Sequence, residues 1–189
     1  MKKIPEHAKV VFEGILHDIY HWEQEMFDGT FSTFEAVKHK DTVTILAVVG
    51  DKIIINNEEQ PNRAPFVAVP GGVAEPDCNI LENAQRELLE ETGYESTNWE
   101  EWFVSDVLNH SKLEWNNHFF IAHDCQKTQE PQLDAGEKIE TKLVTLEEFI
   151  EIRKEPSFRN KELLPILEAT VNNEGKKKEL KELLKINNY

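Results

Sequence analysis

The chain lacks the means to build a cross-linked, fibrous or membrane-embedded protein. Its two cysteines, Cys78 and Cys125, are too few for a disulfide framework and have no C-x-x-C partner for a zinc site. Eight glycines and eight prolines in 189 residues exclude a collagen-like or low-complexity chain. No apolar run approaches the roughly eighteen residues of a membrane span, and no secretory core is present, so the expected compartment is a reducing cytoplasm. Positive charge is also scarce, with 21 Lys and Arg against 36 Asp and Glu for a net −15. A field of that sign repels nucleic-acid phosphates and anionic lipids, which argues against general DNA, RNA or membrane binding. An anionic substrate would need the field reversed locally, and a divalent cation is the simplest device. What is present, 39% hydrophobic and 30% charged residues, suffices for one folded domain with a heavily ionised surface.

Strand-like runs dominate the first seventy residues: 10–14, 18–24, 31–38, 42–49, 52–56 and 67–69. Asp28-Gly29 supplies one turn, and the last run stops at Pro70-Gly71-Gly72. From Asn79 the period changes. Leu81, Ala84 and Leu88 recur at helical spacing as far as Gly93, which sits where a glycine ends a helix. Strands are then predicted over 102–108, 118–123 and 140–145, short helices over 146–152 and 161–171, and a polar amphipathic helix over 174–185. That order predicts an α+β fold, an αβα sandwich with a mixed sheet.

The chemistry is concentrated in the central helix. At about 100° per residue, Glu87, Glu90 and Glu91 share an arc of roughly 100° beside the apolar stripe. Like charges at this spacing destabilise a helix, and the last turns are where its dipole least tolerates them. Arg86 is the one nearby cation. A hard cation with oxygen ligands would compensate, and Mg²⁺ takes one or two carboxylates together with water and phosphates. A bare E-x-x-E-E is nonetheless more often a solvated acidic patch.

The surrounding residues change that balance. Gly72, Arg86, Glu87, Leu88, Glu90, Glu91, Gly93 and Tyr94 fall in register with G-x5-E-x7-R-E-U-x-E-E-x-G-U, and the stretch resembles the Nudix box. The first glutamate of the pattern falls on Cys78. In the family that glutamate supports the loop before the helix and pairs with the arginine, so Cys78 leaves Arg86 less constrained. The flanks, Ile55 to Arg63, Phe66 to Gly72 and Gly136 to Glu140, are similar to the ADP-ribose pyrophosphatase branch.

The resemblance implies a Nudix domain over 41–171, preceded by an N-terminal β-extension (1–40) and followed by the polar helix (172–189). It implies a metal-dependent hydrolase of a nucleoside diphosphate linked to another moiety, with ADP-ribose yielding AMP and ribose 5-phosphate as the leading expectation. Another nucleotide sugar, dinucleotide or damaged triphosphate is the alternative, as is a weakly active ligand-binding or regulatory module. Glu87 and Glu91, with Glu90 and the Gly71 carbonyl, are the expected ligands of Mg²⁺ or Mn²⁺. Glu137 is the expected loop base, with Glu140 second. Arg63, Gly72 and Trp22 are the expected substrate contacts, and Arg86 and Cys78 are structural positions. Trp22 would stack on a base, although strand aromatics are more often core. His21, His110, His118 and His123 show no metal-ligand spacing. The large N-terminal side chains, Phe12, Ile15, Tyr20, Trp22, Phe27, Phe31 and Phe34, lead to the expectation of a homodimer built through the extension.

Overall fold

A computed structural model describes residues 3–75, 78–106 and 112–186. His110 and the end of the strand expected over 102–108 lie outside the described residues. In chain order the strands are β1 (Lys9–Glu13), β2 (His17–Glu25), β3 (Phe31–His39), β4 (Thr42–Val49), β5 (Lys52–Glu59) and β6 (Phe66–Ala68). After helix α1 (Ile80–Thr92) come β7 (Tyr94–Glu95), β8 (Asn98–Asp106), β9 (Leu113–Glu114), β10 (Asn116–His123), β11 (Gln126–Lys127) and β12 (Lys138–Val144). Helices α2 (Leu146–Glu151), α3 (Leu164–Thr170) and α4 (Glu174–Leu183) complete the chain. No helix among the described residues is long and apolar enough to cross a membrane.

The main sheet runs β12-β5-β4-β10-β8, with β6 also paired to β5. It is mixed, because β4 and β10 are parallel while the other pairs are antiparallel. Side-chain alternation divides its residues between two cores. Val43, Ile45, Ala47, Ile54, Phe120 and Ala122 face Ala84 and Leu88 of α1. Leu46, Val48, Ile53, Ile55, Phe119 and Ile121 face Phe149, Leu163, Leu167, Leu180 and Leu184 on the other side. The αβα sandwich and mixed sheet read from the element order are those observed. The polar helix of the C-terminus also contributes to the second core through Leu180, as do Leu184 and Ile186 just after it.

The N-terminal strands form a separate sheet, β1-β2-β3-β9. It is tied to the main domain by parallel pairing of Val37 with Leu113. Its small cluster of Ile4, Trp22 and Ala36, with Tyr20 and Phe34 against it, covers one part of the sheet. Val10, Val11, Phe12, Ile15, Phe27 and Phe31 remain exposed.

Local chemistry fixes both ends of α1. The Asn79 side chain accepts from the Glu82 backbone N–H while the Glu82 carboxylate accepts from the Asn79 N–H, a reciprocal capping box. Gly93, at φ 74°, ends the helix and returns its N–H to the Leu89 carbonyl.

Candidate active site

The β6–α1 loop and α1 bring Gly71, Gly72, Arg86, Glu87, Glu90 and Glu91 to one cavity of about 460 Å³, with Glu137 closing it from the loop before β12. Both glycines stand close to other groups. A Cβ at Gly71 would lie 2.2 Å from the Val43 carbonyl oxygen, and one at Gly72 would lie 2.5 Å from Glu87 Cδ. At Gly71 the obstacle is backbone, so only glycine passes β4 there, whereas at Gly72 it is the end of the Glu87 side chain.

Glu91 is buried, and its Oε2 accepts from Asn56 Nδ2 at 3.0 Å and from the Gly71 N–H at 3.2 Å. Gly71 thus approaches Glu91 with its amide. Arg86 spans the other two helix acids, Nη2 to Glu87 Oε1 at 2.8 Å and Nη1 to Glu90 Oε2 at 2.7 Å. Glu137 turns its N–H back to the Asp134 carbonyl at 2.9 Å, which sets the loop that carries it. Glu140 points elsewhere, accepting from Asn57 Nδ2 and pairing with Lys142.

Glu58 joins this cluster, and the sequence reading missed it. The run Asn56-Asn57-Glu58-Glu59 reads as a polar strand end, yet β5 continues through it. Alternation puts Ile54, Asn56 and Glu58 on the α1 side, and Glu58 is only 4% exposed. Even spacing from Ile54 is the signal that could have found it.

The electrostatics follow from crowding. Burial raises the Glu58 carboxyl to about 7 despite Arg159, with Glu137 adding to the rise. Burial likewise raises Glu87 to about 7 against the pull of Arg86. Glu91 is raised well above the ordinary carboxylate range by burial and then by Glu58 and Glu87. Glu137 is raised by burial and by Asp134. This donor set is hard, anionic and short of positive charge, which suits a divalent cation. Among the described residues no three acidic, histidine or cysteine side chains already stand grouped around a cation position. The Arg86 guanidinium occupies Glu87 and Glu90 instead.

The acidic cavity shares Glu58, Gly71, Gly72, Val73 and Arg159 as wall residues with a second one of about 730 Å³. Arg63, Arg159 and Lys161 supply cations there, and Thr44, Asn117 and Asn160 a polar wall. The two arginines lie over the Phe66 ring, at 4.3 Å and 5.3 Å. Trp115 is the aromatic of this cavity, stacked on His39 at 4.4 Å with its Nε1–H on Thr42 Oγ1. Neither Trp115 nor Arg159 was anticipated, since each is isolated in sequence from the Nudix box.

Trp22, expected as a stacking residue, does not line either cavity. It is 9% exposed in the N-terminal sheet, packed on Phe34 with its Nε1–H on Gln24. Cys78 is exposed at the foot of α1, while Cys125 is buried.

Comparison with known proteins agrees with this geometry. The family model described as NUDIX domain matches residues 38–165. An ADP-ribose pyrophosphatase of Bacillus subtilis (strain 168) is 30% identical over 148 residues, covering 75% of this chain and 78% of that protein. A methanol dehydrogenase activator of Bacillus methanolicus is 28% identical over 148 residues, covering 77% and 80%. A solved structure titled as an ADP compounds hydrolase superposes with a TM-score of 0.68 at 18% identity, over 93% of this chain and 100% of that one, and shares its fold. With the glycine turn, the helix acids and the family match all falling on one cavity, the chain belongs to the Nudix family of pyrophosphohydrolases.

Proposed function

We propose that this Nudix enzyme hydrolyses ADP-ribose to AMP and ribose 5-phosphate. The observation that carries this reading is an acidic cavity sharing a wall with a second one that bears Arg63, Arg159, Lys161 and Trp115. A substrate with a diphosphate between two bulky ends spans such a pair. The relative named ADP-ribose pyrophosphatase supports the same choice.

Glu87 and Glu91, with Glu90 and the Gly71 carbonyl, would hold Mg²⁺ or Mn²⁺. When bound, such an ion neutralises the diphosphate and polarises water. Gly72 lets the phosphates approach the loop, and Arg63 and Arg159 offer their guanidinium forks to phosphate oxygens. Glu137 accepts the proton of the attacking water. The water oxygen bonds to one phosphorus, the bridging P–O bond breaks, and its oxygen leaves on the other phosphate.

A panel of nucleotide sugars, dinucleotides and nucleoside triphosphates, assayed for phosphomonoester products with and without EDTA, tests the substrate. ADP-ribose should have the highest kcat/KM, and preference for a triphosphate would overturn the proposal. Trp115→Ala should raise KM for ADP-ribose by about tenfold, as expected for one lost stacking contact of 1–3 kcal/mol, and change kcat less. An unchanged KM would remove Trp115 from the binding surface.

A regulatory module is the second reading, favoured by Cys78 at the first glutamate position and by the relative named as an activator. The full set of Glu87, Glu90 and Glu91 favours hydrolysis. Absence of turnover across the panel would select the regulatory reading.

The N-terminal sheet adds a homodimer to the proposal. Phe12, Phe27 and Phe31 stay exposed together with Val10 and Val11, and burying each large side chain is worth roughly 1.5–3 kcal/mol. Ile15 and Leu16 of the same segment reach the acidic cavity, so pairing there would help to shape the site. Light scattering should give twice the 21.9 kDa chain mass. A monomer at micromolar concentration would refute the dimer.

A further inference from the structure

The resemblance assigns the bracing of the loop before α1 to a glutamate, and this chain has Cys78 there. We infer that Asn83 performs the bracing instead, as a positioning residue for the acidic cavity. Asn83 lies on the first turns of α1 and is 1% exposed. Its Oδ1 accepts from the Glu75 N–H at 2.8 Å, and its Nδ2 donates to the Glu75 carbonyl at 3.2 Å. The same amide nitrogen lies 3.1 Å from the Asn79 carbonyl and 3.4 Å from that of Cys78. An N–H donor on one side and carbonyl acceptors on the other fix which way the carboxamide faces.

Asn83 therefore grips Glu75, a wall residue of the acidic cavity, by both of its backbone groups. It also touches the residue that organises the acids, since Arg86 Nη2 lies 3.4 Å from Asn83 Oδ1. Among the described residues Arg86 Nε is buried with no partner, and the guanidinium is oriented through its Nη ends, by Asn83, Glu87 and Glu90. Asn83 thus holds the loop wall and limits the positions from which Arg86 can engage Glu87 and Glu90. Groups that orient the ligands of a metal typically change its affinity by about 10–100-fold when removed.

This inference rests on the proposed use of the helix acids as cation ligands, and it is tested without nucleotide. Mn²⁺ binding to the full chain would be measured by titration calorimetry, beside a thermal melt of each variant. Asn83→Ala removes every bond and should weaken Mn²⁺ by about tenfold or more. Asn83→Asp keeps an oxygen toward Glu75 and Arg86 but loses the two N–H donors that face the Glu75, Cys78 and Asn79 carbonyls. It should melt lower than the wild type yet bind Mn²⁺ within about threefold of it, or more tightly. A merely structural Asn83 predicts a different pattern, in which affinity follows melting temperature in both variants, and that result would overturn the inference. Unchanged affinity in Asn83→Ala would overturn it as well. If Asn83→Ala does not fold, Asn83→Asp decides alone, and weakened binding there refutes the role. A wild type that binds no Mn²⁺ removes both this inference and the assigned ligands. One that binds Mn²⁺ but ignores ADP-ribose removes only the substrate.

Discussion

Glu91→Gln should lower kcat by about 10³-fold, the equivalent of roughly 4 kcal/mol of transition-state stabilisation, and should weaken Mn²⁺ binding in parallel. Glutamine matches glutamate in shape, and its carbonyl oxygen can still accept from Asn56 and the Gly71 N–H. The loop should therefore stay in place while the charge is lost. The metal-free variant should also melt at a higher temperature than the wild type, because a deeply buried acid crowded by Glu58 and Glu87 has been removed. Measuring kcat, cation affinity and melting temperature on one preparation separates loss of a ligand from loss of fold. A variant with wild-type kcat would show that Glu91 holds no catalytic cation.

The second large effect is a stability profile that a divalent cation should erase. In EDTA, Glu58 and Glu87 bind their protons more tightly in the folded chain, at about 7, than at the ordinary value of 4.5. The folded state then holds more protons than the unfolded one between those values, so stability falls as pH rises from about 4.5 to about 7. Each carboxyl contributes up to about 3 kcal/mol over this pH window. Saturating Mg²⁺ favours the ionised forms and should flatten it. His123 works in the other sense, lowered from 6.5 first by burial and then by Lys185. Its contribution is present above about 6.5 and lost as pH falls. It does not line the acidic cavity, so the difference between the EDTA and Mg²⁺ curves isolates the carboxyl part. Parallel curves would show that no cation enters the cluster.

The parts of this protein legible in its sequence are those whose signals are local. Asn79, Leu88 and Gly93 mark the start, face and end of α1 within fifteen residues. The spacing of Glu87, Glu90 and Glu91 places them on one side of that helix whatever surrounds it. The glycine turn is legible for a similar reason, since two adjacent glycines after a strand leave few alternatives. Other site features depend on distant pairing. Glu58 enters the cavity because β5 is held through it by the nearby β6 and by β12, whose residues lie far along the chain. Trp115 reaches the second cavity beside β4, which pairs in parallel with the strand that follows it. Arg159 is brought in when its backbone N–H bonds to the Val67 carbonyl. Trp22 shows the converse, a side chain suited to stacking that the N-terminal cluster absorbs. Asn83 was hidden because a lone polar residue on a helix gives no sign of the loop it holds.

The doublets of β5 have a consequence for how the site tolerates error in its own assembly. The inner row of that strand reads Ile54, Asn56, Glu58, and the outer row carries Asn57 and Glu59 into solvent-facing pairs with Glu140 and Lys138. Loss of Ile55, or a slip of one residue beyond Ile54, turns the strand over and would normally exchange every side chain between its faces. Here the turned strand presents Ile54, Asn57 and Glu59 inward, an isoleucine, an asparagine and a glutamate in the same order. An amide would still stand opposite Glu91 and a carboxylate would still line the cavity. A frame error of this kind would leave the inward side-chain types unchanged, and its cost would fall on the opposite face, where Asn56 would take the place of Ile55 in the second core.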